Sequence, residues 1–564
     1  MDTNLSDTQS KKHIWLNNYP KGVPKEINPD SYPSLVELMD ESFKKFAGKP
    51  AFANMGTQIT FGELDRLSRN FASFLQNDLG MVKGDRLAIQ MPNLLQYPIA
   101  MYGAFRAGLV VVNTNPLYTP REMEHQFKDS GAKAIVILAN FASNLEKIIA
   151  KTDIKHVIVT EIGDMMGFPK KFIVNSVVKY VKKMVPAYNL PGAIPFSKTI
   201  AANGSALKPV SLKSSDIAYI QYTGGTTGVS KGAMLTHRNV VANVEMNYAW
   251  MLPQMNKIKN NIMITALPLY HIYSLTVNAL SALKSGYLNV LITNPRDMKA
   301  FIKDLKKYQF SIITGLNTLY NGLLNQPDFA TCDFSDLKIT SAGGMALQNA
   351  VAEKWKKVTG CPACEGYGLS ETSPVLSSNP VDGTGKIGSI GIPWPNTELK
   401  IVKVDGTEAA IGERGEIWAK GPQVMPGYWN RPDETAMVLE DGWFKTGDIG
   451  IMDEDGYFKI VDRKKDMILV SGFNVYPNEI EDVVAKHPGV LEVACIGIKD
   501  ERSTEAVKIF VVKKEPDLTE DELKKYCREN LTGYKIPKHI EFRTDLPKSN
   551  VGKILRRMLK ENAG

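Results

Sequence analysis

Short runs of β-branched and apolar residues alternate with helical stretches from about Tyr32 to Gly450. A strand followed by a helix of ten or more residues returns to pair in parallel with the next strand, so this alternation predicts βαβ units. We therefore expect an α/β fold with mostly parallel sheets, and more than one of them. The clearest strand candidates span residues 85–91, 108–115, 133–140, 155–161, 262–268, 287–294 and 313–319.

The pattern changes after about Thr384, where short strand candidates are separated by Gly and Pro turns. This pattern predicts a small antiparallel β unit. Beyond Asp462, the charged stretch DRKKD leads into roughly 100 residues that mix helical and strand patterns. We expect a separate α+β domain there, joined to the rest through a charged hinge.

Composition excludes several classes of protein. The 564 residues are 43% hydrophobic and 23% charged, which is ordinary globular usage and not that of a fibre or a disordered chain. No signal-peptide pattern begins the sequence and no run of about 18 uncharged apolar residues occurs, so we expect neither secretion nor a membrane span. A net charge of +8 is mild for this length, and zinc-finger spacing is absent, so we expect no nucleic-acid partner.

The cysteines bear on the compartment of the protein. There are five of them, an odd number scattered along the chain, which favours a reducing compartment over a disulfide framework. Cys361 and Cys364 form a Cys-x-x-Cys pair that has no second pair of ligands at metal spacing. We interpret them as buried structural thiols, with a metal or redox role as the alternative.

The segment from Lys170 to Val185 combines apolar residues at helical i, i+3, i+4 spacing with five lysines and no acid. A helix of this kind can lie flat on an anionic bilayer, with its apolar face in the lipid and its lysines at the headgroups. The alternative is an ordinary amphipathic helix that packs on the protein core and leaves its lysines in solvent. The pattern alone favours neither.

The strongest local signal is YTGGTTGVSKG at residues 222–232. Glycines let the backbone approach an anion, hydroxyls donate to phosphate oxygens and Lys231 adds a positive charge. The segment is not the P-loop of GTPases, because Gly232 and not Ser or Thr follows the lysine. It follows an apolar strand and precedes a helix-like stretch, and we predict a phosphate-binding loop; a turn without function is the alternative. Its members are Thr223, Gly224, Gly225, Thr226, Thr227, Gly228 and Lys231.

This segment resembles the signature of the AMP-forming adenylating enzymes, the superfamily of acyl-CoA synthetases, firefly luciferase and peptide-synthetase adenylation domains. Residues 441–465 resemble the segment typical of fatty acyl-CoA synthetases, and the whole sequence is similar to bacterial long-chain fatty acid–CoA ligases. Other superfamily motifs occur in order at residues 60–65, 105–136, 267–275, 341–345, 365–372, 446–448, 462–481 and 546–557.

The resemblance implies a fold and a reaction. The fold would have an N-terminal domain, residues 1–461, of two doubly wound α/β subdomains plus a small β-barrel-like subdomain, and a mobile α+β C-terminal domain, residues 462–564. The reaction would join a fatty acid to ATP as an acyl-adenylate and then pass the acyl group to CoA, with Mg²⁺ as cofactor. Two alternatives remain at this point: an adenylating ligase for short, medium-chain or aryl acids or for loading a carrier protein, and a nucleotide-sensing protein that has lost catalysis.

Roles for the phosphate and metal residues follow from the same resemblance. Thr223, with Thr226, Thr227 and Lys231, would hold the pyrophosphate end of ATP. Glu371, together with Thr223, would hold Mg²⁺, a hard cation that prefers oxygen ligands. Ser370 stands where the family more often has threonine, and it retains the hydroxyl that reaches the α-phosphate.

The nucleoside residues also follow from the resemblance. Tyr367 would stack on adenine. Asp448 and Arg463 suit the ribose, because a carboxylate accepts from both hydroxyls and an arginine adds donors. The residues that would shape the purine pocket are Gly343, Gly344, Glu365 and Gly366.

Lys553 resembles the lysine that stabilises the charge developing on the α-phosphate during adenylation. Lys465 occupies the hinge position of the family, about which the C-terminal domain swings between two poses. In the second pose the turn that contains Gly472 would lie beside the channel for CoA. Some superfamily members carry a second functional lysine shortly after the hinge, but Leu469 stands there in this sequence.

Acyl recognition is the least constrained part of the sequence. His271, between aromatic residues, is where the family has the residue that closes the acyl pocket, and a buried structural histidine is the alternative. A long chain needs a deep apolar tunnel, because burial contributes about 0.8 kcal/mol per CH₂. Candidates for its wall, which would equally suit a core helix, are Leu319, Tyr320, Leu323 and Leu324.

The resemblance shifts the interpretation of residues 170–185 towards membrane contact, because an enzyme that takes fatty acids from a bilayer gains by lying on it. We expect a cytoplasmic protein that associates peripherally with the cytoplasmic face of the inner membrane through this segment. The oligomeric state stays open, with a homodimer as one candidate.

Overall fold

The computed structural model describes residues 13–223, 230–471, 473–500, 503–549 and 552–561. The described strands form two large sheets, a small antiparallel sheet and a C-terminal sheet. Most neighbouring strands of the two large sheets are parallel. The predicted α/β fold with more than one mostly parallel sheet is confirmed.

The first large sheet has seven described strands, all parallel except for an antiparallel hairpin at one edge. Its central strands are buried on both faces, which is why they are continuous apolar runs in the sequence. In spatial order the strands are Ile194–Pro195, His156–Thr160, Ala134–Leu138, Arg86–Gln90, Val110–Asn113, Ile217–Thr223 and Lys231–Thr236.

The second large sheet has nine described strands, parallel in the middle and antiparallel at both edges. The strand predicted at 313–319 is the shorter Ile312–Gly315, and a helix follows it at Asn317–Leu324. In spatial order the strands are Ile392–Pro393, Val375–Ser378, Ala363–Gly368, Ile339–Ala342, Ile312–Gly315, Ile262–Thr265, Leu288–Leu291, Pro50–Asn54 and Thr57–Thr60.

The small antiparallel β unit is confirmed as a five-stranded sheet. It is open and not a closed barrel, because no pairing among the described residues joins Glu398–Val402 to Phe458–Arg463. The other strands are Gly415–Lys420, Leu439–Glu440 and Trp443–Met452.

The C-terminal α+β domain is confirmed as a separate sheet with its own apolar core. The chain leaves the small sheet at Arg463 and enters this sheet at Ile468, so Lys465 lies in the connection. The boundary at 461/462 and the mobility of the domain stay predictions. The C-terminal strands are Ile468–Val470, Phe473–Val475, Val490–Asp500, Thr504–Lys513 and His539–Arg543.

Several helices begin where the sequence carries a capping box. Thr60 with Glu63 and Thr119 with Glu122 exchange side-chain and backbone hydrogen bonds at the first turn. The described α-helices are Leu35–Phe46, Phe61–Asn77, Gln96–Arg106, Pro120–Ser130, Ala142–Glu146, Lys170–Ser176, Phe196–Thr199, His237–Met255, Ile272–Ser274, Ser281–Ser285, Met298–Leu305, Asn317–Leu324, Asn349–Thr359, Pro432–Val438, Pro477–Val484, Glu520–Asn530 and Arg556–Glu561. Val177–Val181 and Leu275–Leu280 are π-helical, and the 3₁₀ turns are Ile14–Asn18, Ala139–Phe141, Ile149–Lys151, Gly204–Ala206, Pro327–Thr331, Ser370–Thr372 and Gly533–Lys535.

Packing joins the large sheets into one N-terminal unit. A single apolar cluster contains Phe52 of the nine-stranded sheet, Leu87 of the seven-stranded sheet, and Phe71 and Tyr102 from the helices. Within the described ranges, none of the helices is long and apolar enough to cross a bilayer.

The C-terminal domain contacts the N-terminal unit at the helix Asn317–Leu324. Thr318 Oγ1 donates to the carbonyl of Gly552 at 3.1 Å, and Asn321 Nδ2 donates to the carbonyl of Leu491 at 3.3 Å. Parallel strands of the nine-stranded sheet end beside this helix, and the carboxyl edge of such a sheet is where ligands commonly bind.

Candidate active site

One cavity of about 2060 Å³ lies between the two large sheets, the small sheet and the C-terminal domain. Every described member of the predicted site lines it, although these residues are spread over more than half of the sequence. Gly224, Gly225, Thr226, Thr227, Gly228 and Gly472 lie outside the described residues. The predicted residues that line the cavity are Thr223, Lys231, His271, Gly343, Gly344, Glu365, Gly366, Tyr367, Ser370, Glu371, Asp448, Arg463, Lys465 and Lys553.

The predicted phosphate loop connects the two strands of a hairpin. Thr223 and Lys231 are paired across the strands Ile217–Thr223 and Lys231–Thr236, so both stand at the mouth of the loop. The expected helix begins at His237, capped by Thr236, and the strand Lys231–Thr236 stands between it and the loop. Lys231 thus lies on the strand that follows the loop, on the cavity side of the hairpin.

The strand before the loop is held by a cluster around Asp129. Tyr222 donates its hydroxyl hydrogen to Asp129 at 2.7 Å, and Arg431 forms an ion pair with the same carboxylate at 2.8 Å. The backbone N–H of Trp429 donates to the carbonyl of Gly232 at 2.8 Å. The hairpin and the turn that contains Trp429 are thereby fixed to each other.

Glu371 lies beside the same turn, on the 3₁₀ turn Ser370–Thr372. It is 8% exposed, and Tyr428 donates a hydrogen bond to its Oε1 at 2.7 Å. Burial raises the pKa of Glu371, while the Tyr428 hydrogen bond opposes that rise. Lys231 lies over the ring of Tyr428, with Nζ 5.3 Å from the ring centre. Tyr428 thus connects the predicted metal carboxylate to the predicted phosphate lysine.

The nucleoside residues meet at Asp448, which is 2% exposed. Tyr367 donates its hydroxyl hydrogen to Asp448 Oδ2 at 2.7 Å, and Arg463 Nε lies 3.0 Å from Oδ1. Asp448 raises the pKa of Arg463, so the guanidinium stays charged. The hydroxyl of Tyr367 therefore positions Asp448, in addition to any stacking by the ring.

The predicted purine pocket lies at the ends of the strands Ile339–Ala342 and Ala363–Gly368. A Cβ atom on Gly343 would lie 3.1 Å from the ring of Tyr273, so the backbone there approaches that aromatic closely. Burial raises the pKa of Glu365 to about 8, so its neutral carboxyl predominates at pH 7.

His271 and Lys553 approach the cavity from opposite domains. Burial, assisted by the positive charge of Lys553, lowers the pKa of His271 to about 4, so the imidazole is neutral at pH 7. His271 Nδ1 accepts the backbone N–H of Tyr273 at 3.3 Å, which leaves the ring proton on Nε2. The charge of Arg463 and burial lower the pKa of Lys553 to about 7, and burial with Arg463 also lowers the pKa of Lys465.

Arg556 anchors the segment that carries Lys553. Its guanidinium donates two hydrogen bonds to Glu481, at 2.7 and 3.1 Å, and one to Asp462 at 3.3 Å. Burial alone would lower the pKa of Arg556, but these carboxylates outweigh it and raise the pKa. Asp462 belongs to the small sheet and Glu481 to the C-terminal domain, so Arg556 fixes the two domains to each other in this pose.

A chain of polar groups connects the phosphate hairpin to His271. Tyr97 donates to Asn113 Oδ1 at 2.6 Å, Asn113 Nδ2 donates to Gln221 Oε1 at 2.9 Å, and Gln221 Nε2 donates to the carbonyl of Tyr270 at 2.9 Å. Sequence reasoning missed this chain, together with Tyr428, Asp129 and Arg556. The available signals were the position of Gln221 directly before the predicted phosphate loop, Tyr428 in the sequence MPGYW and Arg556 in the sequence KILRR.

The apolar wall of the cavity differs from the predicted one. Leu319, Tyr320, Leu323 and Leu324 are buried members of the core and do not line the cavity, so their prediction as tunnel wall is wrong. The apolar lining comes instead from the helix His237–Met255 and the elements that face it: Trp250, Met251, Leu267, Val277, Val375, Val381, Ile390 and Trp394.

Residues 170–185 do not pack on the core. They form the α-helix Lys170–Ser176 and the π-helical turn Val177–Val181, and neither contains a buried residue. Phe172 is 61% exposed, Ile173 59% and Val181 74%. The alternative of a core-packed amphipathic helix is thus wrong, because most of its apolar side chains are exposed and none is buried.

The Cys-x-x-Cys pair is buried. Cys364 Sγ lies 3.2 Å from the carbonyl of Pro380, and burial raises the pKa of the Cys364 thiol to about 12. No group of three or more His, Cys, Asp or Glu that could hold a metal ion occurs in the described part of the chain. The interpretation as structural thiols is supported over a metal role.

Comparison with known proteins bears on the whole chain. The family model of the AMP-binding enzymes matches residues 39–429, and the model of the AMP-binding enzyme C-terminal domain matches residues 479–553. The chain is 56% identical to a long-chain-fatty-acid–CoA ligase of Escherichia coli and 40% identical to one of Bacillus subtilis, covering 98% of both chains in each case. The crystal structure of ATP-bound MatB from Rhodopseudomonas palustris matches 93% of this chain and 98% of its own, with 28% identity and a TM-score of 0.81. The resemblance seen in the motifs is confirmed, and the chain belongs to the AMP-binding enzyme family.

Proposed function

We propose that this enzyme is a long-chain fatty acid–CoA ligase. The observation that carries the proposal is the 56% identity, over 98% of both chains, to curated enzymes of that name. The cavity supports it, because it brings the phosphate, ribose and lysine residues of an adenylating site into one space.

In the first half-reaction, a carboxylate oxygen of the fatty acid attacks the α-phosphorus of ATP. The bond from that phosphorus to the oxygen bridging to the β-phosphate breaks, and pyrophosphate leaves. Two anions must meet for this attack, so cationic groups that converge on the α-phosphate lower the barrier. Lys553, Arg463 and Lys231 are the cations that line the cavity near the predicted nucleotide site. Asp448 and Tyr367 hold the ribose and adenine in the proposed arrangement.

Mg²⁺ would supply charge neutralisation on the phosphates. Glu371 and Thr223 are the residues we assign to hold it. The donor set fits, because the carboxylate of Glu371 and the hydroxyl of Thr223 both belong to residues that line the cavity, and Mg²⁺ prefers such oxygen ligands. With a single carboxylate from the protein, phosphate oxygens and water must complete the shell, which suits an ion that is bound with nucleotide.

In the second half-reaction, the thiolate of CoA attacks the acyl carbonyl carbon and AMP leaves with the electrons of the carbon–oxygen bond. We infer that the C-terminal domain rotates about Lys465, so that Lys553 withdraws and the turn with Gly472 approaches the channel. The observed pose, with Lys553 in the cavity, corresponds to adenylation.

We further propose that residues 170–185 form a membrane-binding surface. Its exposed apolar side chains stand among lysines, and charge complementarity favours an anionic bilayer. A peripheral position at the cytoplasmic face of the inner membrane would bring the enzyme to its substrate. A homodimer is a further proposal, which sedimentation of the purified protein tests.

The proposed reaction is tested by its products. The purified enzyme with palmitate, MgATP and CoA should release AMP, pyrophosphate and palmitoyl-CoA in equal amounts. Formation of ADP, or AMP without a thioester, would contradict the proposal. Turnover with aryl or short acids alone would move the assignment to the alternative ligases, and no turnover with any acid would move it to a nucleotide-sensing protein.

A further inference from the structure

The helix His237–Met255 carries two buried asparagines, Asn243 and Asn247, one helical turn apart on one face. The side chain of Asn243 is fully paired with the backbone of Val375: Nδ2 donates to the carbonyl at 2.8 Å, and Oδ1 accepts the N–H at 3.1 Å. Asn243 is therefore a structural residue, and its buried amide is satisfied.

Asn247 differs from Asn243 in this respect. Its side chain is 1% exposed, and neither Oδ1 nor Nδ2 has a hydrogen-bond partner among the residues that the structure describes. A buried amide without partners destabilises the fold, because it loses its hydrogen bonds to water and gains none in exchange. Such a group in a cavity wall indicates a partner that arrives with a ligand.

Asn247 lines the cavity, and the residues that follow it on the same helix face, Trp250 and Met251, line the cavity too. Leu267 and Val277 are further apolar members of the lining. The indole N–H groups nearby are already used: Trp250 Nε1 donates to the carbonyl of Asn379 at 3.3 Å, and Trp394 Nε1 donates to Ser378 Oγ at 2.8 Å. The carboxamide of Asn247 is thus an unpaired polar group beside apolar side chains of the cavity wall.

We propose that Asn247 is a hydrogen-bonding subsite for an oxygen substituent on the acyl chain, so that the enzyme activates hydroxylated long-chain fatty acids. This inference rests on the proposed function and deepens it. A carboxamide offers donors and an acceptor, and a hydroxyl group can use either. A site built to pair with a hydroxyl discriminates by position, because a chain with its hydroxyl elsewhere leaves the amide unpaired and buries its own hydroxyl among apolar side chains.

The test is a positional series of hydroxypalmitates, assayed with MgATP and CoA beside palmitate. We expect kcat/KM to peak at one position or at two adjacent positions, about tenfold above the other hydroxypalmitates, as loss of one buried hydrogen bond implies. Asn247→Leu should remove the peak. Met255→Leu, an apolar exchange on the same helix at a residue outside the cavity lining, should retain it.

A stability measurement accompanies the kinetics. Asn247→Leu should melt at the native temperature or above it, because the variant replaces an unpaired buried amide with an apolar side chain. If Asn247→Leu does not fold, Asn247→Ala serves as the second variant. We expect Asn247→Ala to lose the peak as well.

The outcomes separate the two proposals. A flat profile across the hydroxypalmitates, with palmitate still converted to palmitoyl-CoA, overturns the subsite and leaves the ligase function standing. A peak that persists in both Asn247 variants also overturns the subsite. Failure of the native enzyme with palmitate and with every hydroxypalmitate would contradict the ligase function itself.

Discussion

The hydroxyl of Tyr428 donates a hydrogen bond of 2.7 Å to Oε1 of Glu371, and the same phenol ring lies under Lys231. The two side chains that we assign to Mg²⁺ and to the phosphates are thus positioned by one tyrosine from the small β subdomain. Tyr428 stands 57 residues from Glu371 in sequence.

Tyr428→Phe should lower kcat/KM for MgATP by about tenfold or more, since a hydrogen bond to a charged group is lost. Without that bond the pKa of Glu371 should rise further, so less carboxylate is ionised at low pH and the deficit should be larger at pH 6 than at pH 8. The rate of pyrophosphate release, measured at pH 6 and pH 8, gives kcat/KM for both enzymes. Tyr180→Phe, on the exposed surface, is the control, and native kinetics in Tyr428→Phe would contradict the positioning role.

Lys553→Ala should lower adenylate formation by about a hundredfold or more, because it removes a charge that stabilises the transition state. Thioester formation from preformed acyl-adenylate and CoA should be spared, since that step uses the other pose. The two half-reactions are measured separately. Equal loss of both would contradict the two-pose account.

The pKa of Lys553, near 7, predicts a pH dependence. Adenylation needs the protonated ammonium, so kcat/KM, which reports on the free enzyme, should fall as pH rises above about 7. Lys553→Arg should lack this decline between pH 7 and 9, because a guanidinium stays charged there. If the native enzyme and Lys553→Arg show the same decline, the decline belongs to the titration of another group.

Arg556→Met should lower the free energy of unfolding by about 3 kcal/mol, because the buried carboxylates of Asp462 and Glu481 lose their counter-charge. Both carboxyls already have raised pKa values. In the folded variant they should therefore take up protons as the pH falls, and the loss in free energy of unfolding relative to the native protein should become smaller. Urea unfolding at pH 7.5 and 5.5 tests this. Arg557→Met is the matched control: its pair with Glu561 is exposed, and a similar loss there would contradict the account.

Replacing Lys179, Lys182 and Lys183 with glutamine should weaken binding to anionic vesicles, by about 1 kcal/mol for each lysine. Vesicle co-sedimentation at constant salt measures the loss. The control is the same change at three exposed lysines of the helix Asn349–Thr359, Lys354, Lys356 and Lys357. Equal losses in both variants would assign binding to net charge and not to this surface.

Hydrophobic alternation predicted the sheets because buried parallel strands are continuous apolar runs, and strands such as Ala134–Leu138 lie where expected. Motif resemblance identified the cavity residues, since Thr223, Glu371, Asp448 and Lys553 share no local pattern that could bring them together. The small sheet was predicted by its turns, but closure into a barrel depends on pairing between distant strands, which turns do not encode.

The tunnel wall was predicted wrongly, and the surroundings of residues 170–185 were left open, for a common physical reason. The i, i+3, i+4 spacing of Leu319, Tyr320 and Leu323 indicates a helix with a buried face, but not whether that face meets the core or a cavity. The same spacing at residues 170–185 indicates an apolar face without saying what covers it. Asp129 and Arg431 were missed because they are 302 residues apart and each alone is an ordinary surface charge.

The most direct test of the central claim is the dependence of kcat/KM on acyl chain length, measured by AMP formation with a series of acids from acetate to oleate and with benzoate. The account predicts that kcat/KM rises steeply with chain length, because each CH₂ buried against the apolar lining of the cavity contributes about 0.8 kcal/mol. A maximum at acetate or benzoate would keep the adenylating mechanism and contradict the assignment to long-chain fatty acids.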